Sequence, residues 1–354
     1  MTILGGLDLH RRQITFDYVD TASGGVSTGR VVPASREAFS GFLAGLGTRD
    51  CEFVVEGCTG WWFVADELSR AGMVAHVADP AEAAALRGSK KRAKTDRADA
   101  RHLRRLLVDE RVPESWIPPA HLVETRALGR LYLDLLQARN AWAQRIHATV
   151  FHHGAAPLGS DLATVSRQQE ALAAAEQLPE ANRHAVNVAV GLIGCFSDEL
   201  EIVHRQLCWV GRHQPAANAL QRLFGVGELT SAIIWAEVGD ARRFSSSRQL
   251  IRYGGLDVTV HESDQHRTRG HLSHQGSGTL RWAVYECGQA GARRTSPDYR
   301  YYQQVKTRCG HIEASLSVAR KILRRSHHIL VACGDDVLTE PTSRLPRPAM
   351  TAAA

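Results

Sequence analysis

Residues 3–32 read ILGGLDLHRRQITFDYVDTASGGVSTGRVV and contain three successive segments with strand character. Ile3 to Leu9 is a short apolar run suited to a buried strand, and Gln13 to Asp20 is rich in β-branched and aromatic residues. A Ser-Gly-Gly turn at residues 23–25 then leads into Val26 to Val32. Because the connections between the three segments are short, we expect antiparallel neighbours in one sheet.

The next eighty residues alternate between helical and strand patterns. The predicted elements are a helix at 35–46, a strand at 51–56, a helix at 61–71, a strand at 73–78 and a helix from Thr95 to about Glu110. The order β-β-β-α-β-α-β-α is that of the ribonuclease-H-like fold, in which the first and fourth strands are neighbours. No G-x-G-x-x-G follows the first strand, which argues against a dinucleotide-binding fold.

The rest of the chain is predicted to be mostly helical. Prolines 113, 118 and 119 mark a linker, and the helical periodicity of residues 121–152 and 168–206 predicts a long hairpin or coiled-coil arm for self-association. Between Ala241 and Leu330 there are 16 Arg and Lys residues against 6 Asp and Glu residues. We therefore predict a domain at 1–111, a linker and arm at 112–215, a basic C-terminal domain at 216–333 and a disordered tail at 334–354.

Composition favours a polyanionic partner. The formal net charge is +6 and the isoelectric point is about 9.1. The seven cysteines form no C-x-x-C pair, which favours reduced thiols over disulfides or a zinc site. No stretch reaches the ~18 apolar residues that a membrane helix requires, and the first ten residues lack a basic leader. We expect a cytoplasmic protein that acts at the nucleoid and has no membrane contact.

Four acidic residues are candidates for one metal site. Asp8 lies near the end of the first strand, Glu56 ends the fourth, and Asp96 and Asp99 share a face of the helix that Thr95 begins. In a ribonuclease-H-like sheet they would converge, and their mutual repulsion would be relieved by cations. Oxygen ligands suit Mg²⁺ or Mn²⁺, and paired metals can clamp the two oxygens of a phosphodiester displacement.

Basic and glycine-rich segments are candidates for nucleic-acid contact. Lys94 and Arg97 stand in a basic run around Asp96 and Asp99, where they could hold phosphates. Gly225 and Gly227 resemble the turn of a helix-hairpin-helix module, whose second helix offers free N–H groups to a phosphate. A plain turn between helices is nearly as good an interpretation of this pair.

Several motifs taken together resemble the DEDD-type insertion-sequence transposases. They span nearly the whole chain in the family's order and are Gly6 to His10, Val55 to Gly60, Lys94 to Ala100, Gly225 to Gly227, Arg243 to Ser245, Tyr253 to Leu256 and Gly276 to Arg281. The resemblance implies a RuvC-like domain whose four acidic residues bind Mg²⁺, a helical arm, and a C-terminal transposase domain. It also implies a homo-oligomer, a dimer or tetramer, with a site composed between subunits. Implied partners are DNA, both element ends and target, and a structured non-coding guide RNA encoded by the element.

In that family a serine of the C-terminal domain is the nucleophile that links to DNA, and Ser263 occupies its position. Asp264 stands where the family usually has glycine, which leaves Ser273 as a second candidate. Ser277 replaces the usual asparagine, and the turn after Glu56 is one residue longer than the commonest form. Arg267, Arg269 and Arg281 are placed to contact phosphates, although a solvated surface would have the same composition.

Three other functions remain open at the level of sequence. A RuvC-like nuclease of branched DNA would use metal-activated water and would keep its activity after Ser263→Ala. A non-catalytic nucleic-acid scaffold would bind unchanged after Asp8→Ala and cut nothing. An actin-like sugar kinase also ends its first strand in Asp, but it needs a glycine-rich phosphate loop, whereas Leu9-His10-Arg11-Arg12 follows here.

Overall fold

The computed structural model describes residues 2–87, 95–159, 161–263, 266–272 and 276–342, and between 258 and 271 its description is limited to the backbone. The chain consists of two compact units, Met1–Ile117 (the first unit) and Pro118–Ala354 (the second unit). Within the described residues, no helix is both long and apolar enough to cross a membrane.

The first unit is built on a mixed five-stranded sheet. Its elements are β1 Ile3–Leu9, β2 Ile14–Asp20, β3 Val26–Val31, α1 Arg36–Gly45, β4 Cys51–Glu56, α2 Trp61–Arg70, β5 Val74–Ala78, α3 Pro80–Leu86 and α4 Asp96–Val108. The strand order is β3-β2-β1-β4-β5, with β1 antiparallel to β2 and parallel to β4. The predicted contact between the first and fourth strands is therefore confirmed.

Helix α3 was not predicted from the sequence. No helix was predicted between the strand at 73–78 and Thr95, but the Asp79 carboxylate accepts hydrogen bonds from the N–H groups of Ala81 and Glu82. Pro80 occupies the first helical position, where its fixed φ and missing N–H do no harm. The pair is therefore a helix start as well as a strand end.

The two faces of the sheet carry different layers. Leu7, Phe53 and Val55 belong to the core formed with α1 and α2. Because side chains alternate along a strand, Val54 faces the other side, where it packs with Leu103 and Leu106 of α4. Gly6 lies beside Val54 in the parallel register of β1 and β4.

Helix α4 lies directly on β1 because Gly6 has no side chain. A Cβ at Gly6 would come within 2.1 Å of the Ala100 carbonyl oxygen and 2.5 Å of the Arg104 backbone nitrogen. Asp17, the cross-strand partner of Gly6 on β2, is fully buried and faces the same helix. Its carboxylate accepts from Arg104 at 2.5 Å and from Arg101 at 3.4 Å, so a buried ion pair joins α4 to β2.

Helices dominate the second unit, which has one two-stranded ribbon within the described residues. Its elements are α5 Ala120–His152, α6 Val165–Ala175, α7 Glu180–His213, α8 Pro215–Leu220, α9 Glu228–Val238, α10 Ser247–Tyr253, β6 Val258–Ser263, β7 His266–Leu272, α11 Gly278–Gln289, α12 Tyr299–Cys309 and α13 His311–Ala332. Helices α5 and α7 pack along each other and form the predicted long hairpin. Pro179 directly precedes α7.

The segment after α13 includes a folded turn. Gly334–Leu338 forms a short 3-10 helix in which Val337 is fully buried. The Trp235 indole N–H donates to the Val337 carbonyl oxygen at 2.8 Å. The predicted disordered tail therefore includes a five-residue helical turn that packs on α8 and α13 and accepts a hydrogen bond from α9, while residues 343–354 lie outside the described part of the chain.

Candidate active site

Two carboxylates lie at the same edge of the sheet. Asp8 lies two residues after Gly6 on β1, so it points to the face that α4 covers. Glu56 lies two residues after Val54 on β4 and points to the same face. Since Leu7 and Val55 are partners in the parallel pair, Asp8 and Glu56 follow at neighbouring strand ends.

Helix α4 supplies the other two carboxylates. Thr95 is its N-cap, and the Thr95 hydroxyl oxygen accepts from the Ala98 N–H at 3.2 Å. Asp96 and Asp99 lie in the first turn, where the helix dipole favours negative charge. The contact of α4 with Gly6 brings this turn to Asp8.

The pKa of Asp8 reflects the nearness of the other three carboxylates. Burial, followed by the negative charges of Asp96, Asp99 and Glu56, raises the pKa of Asp8 to about 6, while His10 opposes the rise. An ionised Asp8 is therefore penalised by its surroundings, as expected for carboxylates that lack a cation. All four predicted acidic residues form one electrostatic cluster, which we call the acidic cluster.

Neighbouring side chains occupy part of the acidic cluster. Arg87 donates to Asp99, and the Gln13 amide donates to Asp96 at 2.9 Å. Within the described ranges, no three His, Cys, Asp or Glu side chains are arranged to hold a metal ion. Each contact uses one oxygen of its carboxylate, and metal binding by the cluster stays a prediction.

Three residues of the site were not predicted from the sequence: Asp17, Gln13 and Arg87. Asp17 could have been found, since a carboxylate between Phe16 and Tyr18 in a strand needs a buried partner. Gln13 is the first residue after the turn between β1 and β2, and Arg87 lies 12 residues before the carboxylate that it contacts. Neither has a sequence pattern that marks it.

Three of the predicted motif segments meet in the second unit. The Arg243 guanidinium lies 4.1 Å from the centre of the Phe244 ring and 4.6 Å from that of Tyr253. Gly276 has φ +80°, and a Cβ there would come within 1.9 Å of the Tyr253 carbonyl oxygen. The Arg281 guanidinium donates to the carbonyl oxygens of Gly254 at 3.4 Å and Gly276 at 3.2 Å. These contacts close the base of the β6–β7 ribbon.

Ser263 ends β6, and its backbone is paired with His266 at the start of β7. Arg267 and Arg269 lie on β7 opposite Glu262 and Val260. Lys94, Asp264 and Ser273 lie outside the described residues. Arg97 is exposed on α4, beside the acidic cluster.

The Gly225–Gly227 turn has a packing role. Gly225 has φ +87°, and a Cβ there would meet the Ala290 Cβ at 2.7 Å and the Cys287 carbonyl oxygen at 2.8 Å. The Gly227 N–H, just before α9, donates to the Thr230 hydroxyl at 3.0 Å. A cavity of about 310 Å³ at this turn is lined by the carboxylates of Glu228 and Glu286. Carboxylates at this helix start disfavour the predicted phosphate contact.

Two comparisons with known proteins bear on this arrangement. Residues 217–303, which contain the Gly225–Gly227 turn and the base of the ribbon, match the family described as Transposase IS116/IS110/IS902 family. The second comparison is with the "Putative transposase y4qE" of Sinorhizobium fredii (strain NBRC 101917 / NGR234), which is 26% identical over 242 residues. This match covers 68% of this chain, and it spans little more than half, 57%, of the relative. Both comparisons support a transposase.

Proposed function

We propose that this protein is a DNA transposase that cuts and exchanges strands at the ends of an insertion sequence. The observation that carries the proposal is the acidic cluster. Burial and the negative charges of Asp96, Asp99 and Glu56 raise the pKa of Asp8 to about 6, which leaves a site that favours cations. The match of residues 217–303 to a transposase family supports strand exchange rather than another metal-dependent reaction.

The first unit is assigned in this proposal to the ribonuclease-H-like, RuvC-like class. Its strand order β3-β2-β1-β4-β5, with only β2 antiparallel to β1, supports the assignment. The acidic residues lie at strand ends and on a helix packed across the sheet, where a phosphodiester can approach from solvent.

The donor set fits Mg²⁺ or Mn²⁺ by its chemistry. Asp8, Glu56, Asp96 and Asp99 would hold the ion, and the raised pKa of Asp8 supports this assignment. The bound ion would neutralise the carboxylates and polarise the phosphoryl oxygens. Arg97 is exposed beside the cluster and, with Lys94, would hold the flanking phosphates.

Ser263 would act as the nucleophile. Its hydroxyl would lose a proton, its oxygen would form a bond to phosphorus, and the bridging oxygen of the cut strand would leave. A phosphodiester is exchanged for a phosphoserine linkage, so rejoining needs no ATP. Arg267, Arg269 and Arg281 belong to the same part of the second unit, whose sequence has the strongest excess of positive charge. Guidance by an element-encoded RNA and action as a dimer or tetramer complete the proposal.

A cleavage assay with matched carboxylate variants tests the proposal. The substrate is DNA carrying the joined element ends, supplied with RNA transcribed from the element's flanks and with Mg²⁺. Asp8→Asn and Glu56→Gln should each reduce cleavage by at least about 100-fold. Glu52→Gln is the matched control. Glu52 lies on the same face of β4 as Glu56 but at the other end of the strand, where its carboxylate pairs with His76 at 3.1 Å. Equal loss in all three variants, or no loss in any, would contradict the proposal.

A further inference from the structure

A second cavity lies beside the acidic cluster and is not used by the proposed chemistry. It has a volume of about 610 Å³, and its lining includes Leu9, His10, Arg11, Ala34, Cys58 and Phe63. We call it the turn pocket, because His10 and Arg11 belong to the turn between β1 and β2. Its volume is within the range of roughly 300–1,000 Å³ that small-molecule sites have, enough for a base and its sugar.

The floor of the turn pocket is apolar and aromatic. Leu9, Ala34 and Phe63 are partly buried and pack against the core of the first unit. Cys58 is half-buried and contributes to the lining beside them. An aromatic ring on an apolar floor is the surface on which an unstacked base binds, irrespective of its identity.

The rim of the turn pocket is basic. The backbones of His10 and Gln13 exchange two hydrogen bonds, of 2.9 and 3.2 Å, so Arg11 and Arg12 are the two central residues of a closed hairpin turn. Both arginines are exposed, and within the part of the chain that the structure describes neither has a carboxylate partner. Their guanidinium groups are available for phosphate oxygens.

The same turn also borders the acidic cluster. A neighbouring cavity of about 350 Å³ is lined by His10, Arg11, Arg12, Gln13 and Asp96. His10 and Arg11 line both cavities, so the turn separates an apolar pocket from a carboxylate-lined one. A nucleic acid has the matching sequence of groups, in which a phosphate is followed by a sugar and a base.

We propose that the turn pocket binds one unpaired nucleotide of the DNA strand, next to the scissile phosphate at the acidic cluster. The base lies against Phe63, and Arg11 holds the phosphate between the two cavities. This inference rests on the proposed function and adds a substrate subsite to it. The enzyme then selects DNA whose strands are already separated at the cleavage point, since a paired and stacked base cannot enter the pocket.

The test uses 2-aminopurine, a base whose fluorescence rises when it leaves the stack. It is placed at successive positions of the joined-end DNA, which is bound by the full chain with its RNA in Ca²⁺ so that binding is seen without turnover. One position next to the cleavage point should brighten, and Phe63→Ala should weaken binding of that DNA by about tenfold. Ala34→Leu, which narrows the pocket, should abolish the brightening.

Two further variants separate the pocket from general damage. Phe42→Ala removes another ring from the same core outside the pocket lining, and it should keep the brightening. Arg11→Ala changes an exposed turn residue without disturbing the core, and it should weaken binding and cleavage together.

The outcomes distinguish failure of the pocket from failure of the proposed function. DNA that is bound and cut while no position brightens would overturn the pocket alone. Brightening retained in Ala34→Leu, or seen only when 2-aminopurine stands in the RNA, would also overturn it. DNA that is neither bound nor cut would overturn the proposed function and, with it, this inference.

Discussion

A carboxylate within a β-strand needs a compensating partner, and Asp8 and Asp17 meet that need differently. Asp17 is fully buried and is paired with Arg104 and Arg101. Asp8 has no cationic partner of this kind among the described residues, and its pKa is raised to about 6 instead. One carboxylate therefore stabilises the fold, whereas the other is available to an external cation.

Replacing Asp8 should stabilise the metal-free protein at neutral pH. Because the pKa of Asp8 in the folded protein is raised from 3.8 to about 6, stability falls as the pH rises through this interval and stays low above it. Asp8→Asn should therefore raise the free energy of unfolding by about 1 kcal/mol at pH 8, less than the full shift implies because the group is partly exposed. The gain should vanish near pH 4. Urea denaturation in EDTA measures both values.

Bound metal should make the wild-type protein more stable than Asp8→Asn. In 10 mM Mg²⁺ the wild-type protein should gain stability, and Asp8→Asn should gain little, because binding to the folded state alone is stabilising. Asp198→Asn, an exposed change in α7, is the control and should behave as the wild type at every pH. A stabilising Mg²⁺ effect that persists in Asp8→Asn would contradict the assignment of Asp8 as a ligand.

Removing the buried ion pair should be costly. Asp17→Asn leaves the Arg104 guanidinium, whose side chain is only 14% exposed, without its charged partner. We expect a loss of about 3 kcal/mol in the free energy of unfolding. Asp66→Asn breaks an ion pair with the more exposed Arg36 and should cost less than about 1 kcal/mol. Equal costs in urea denaturation would contradict the structural role of Asp17.

At the scale of elements, the position of α4 depends on Gly6. Gly6→Ala should push α4 away from β1, because the new Cβ would lie within 2.5 Å of the helix backbone. DNA cleavage should fall at least about tenfold, since Asp96 and Asp99 move with the helix. Gly41→Ala in α1 meets nothing within 4 Å and should leave cleavage unchanged. Undiminished cleavage by Gly6→Ala would show that the approach of α4 to Gly6 does not set the site.

Arg281 has two candidate roles, which are to close the base of the β6–β7 ribbon and to neutralise a phosphate. Its guanidinium donates to the carbonyl oxygens of Gly254 and Gly276 at the base of the β6–β7 ribbon. If closing the ribbon is its role, Arg281→Lys should lose most of the activity, because one ammonium group cannot reproduce the planar fork. If Arg281 only neutralises a phosphate, the lysine variant should remain active, and the salt dependence of DNA binding should be unchanged.

The predictability of the elements follows the range of the interactions that form them. The strands β1, β2 and β4 were predicted within one residue at each end because their alternation and apolar runs are local signals. Helix α3 was missed because Asp79-Pro80 is compatible with both a break and a helix start. The contact between Gly6 and α4 joins residues nearly a hundred positions apart, and no local pattern reports it.

At the scale of the whole molecule, the four residues of the acidic cluster could be predicted from the sequence, but the side chains that contact them could not. Asp8, Glu56, Asp96 and Asp99 followed from strand order and a motif, because ends of neighbouring parallel strands meet at one edge. Gln13 and Arg87 reach the cluster through side-chain contacts that depend on the final packing. The predicted role of the Gly225–Gly227 turn is disfavoured by Glu228 and Glu286, which lie far apart in sequence and meet only in the folded unit.

Serine chemistry requires that the protein form a covalent bond with DNA through Ser263. Purified protein is mixed with joined-end DNA, RNA from the element's flanks and Mg²⁺, and the mixture is analysed under denaturing conditions. We expect a denaturant-resistant protein–DNA adduct in the wild type and in Ser273→Ala, and none in Ser263→Ala. An adduct that persists in Ser263→Ala would move the nucleophile elsewhere, and cleavage without any adduct would contradict serine chemistry and favour a nuclease that uses water.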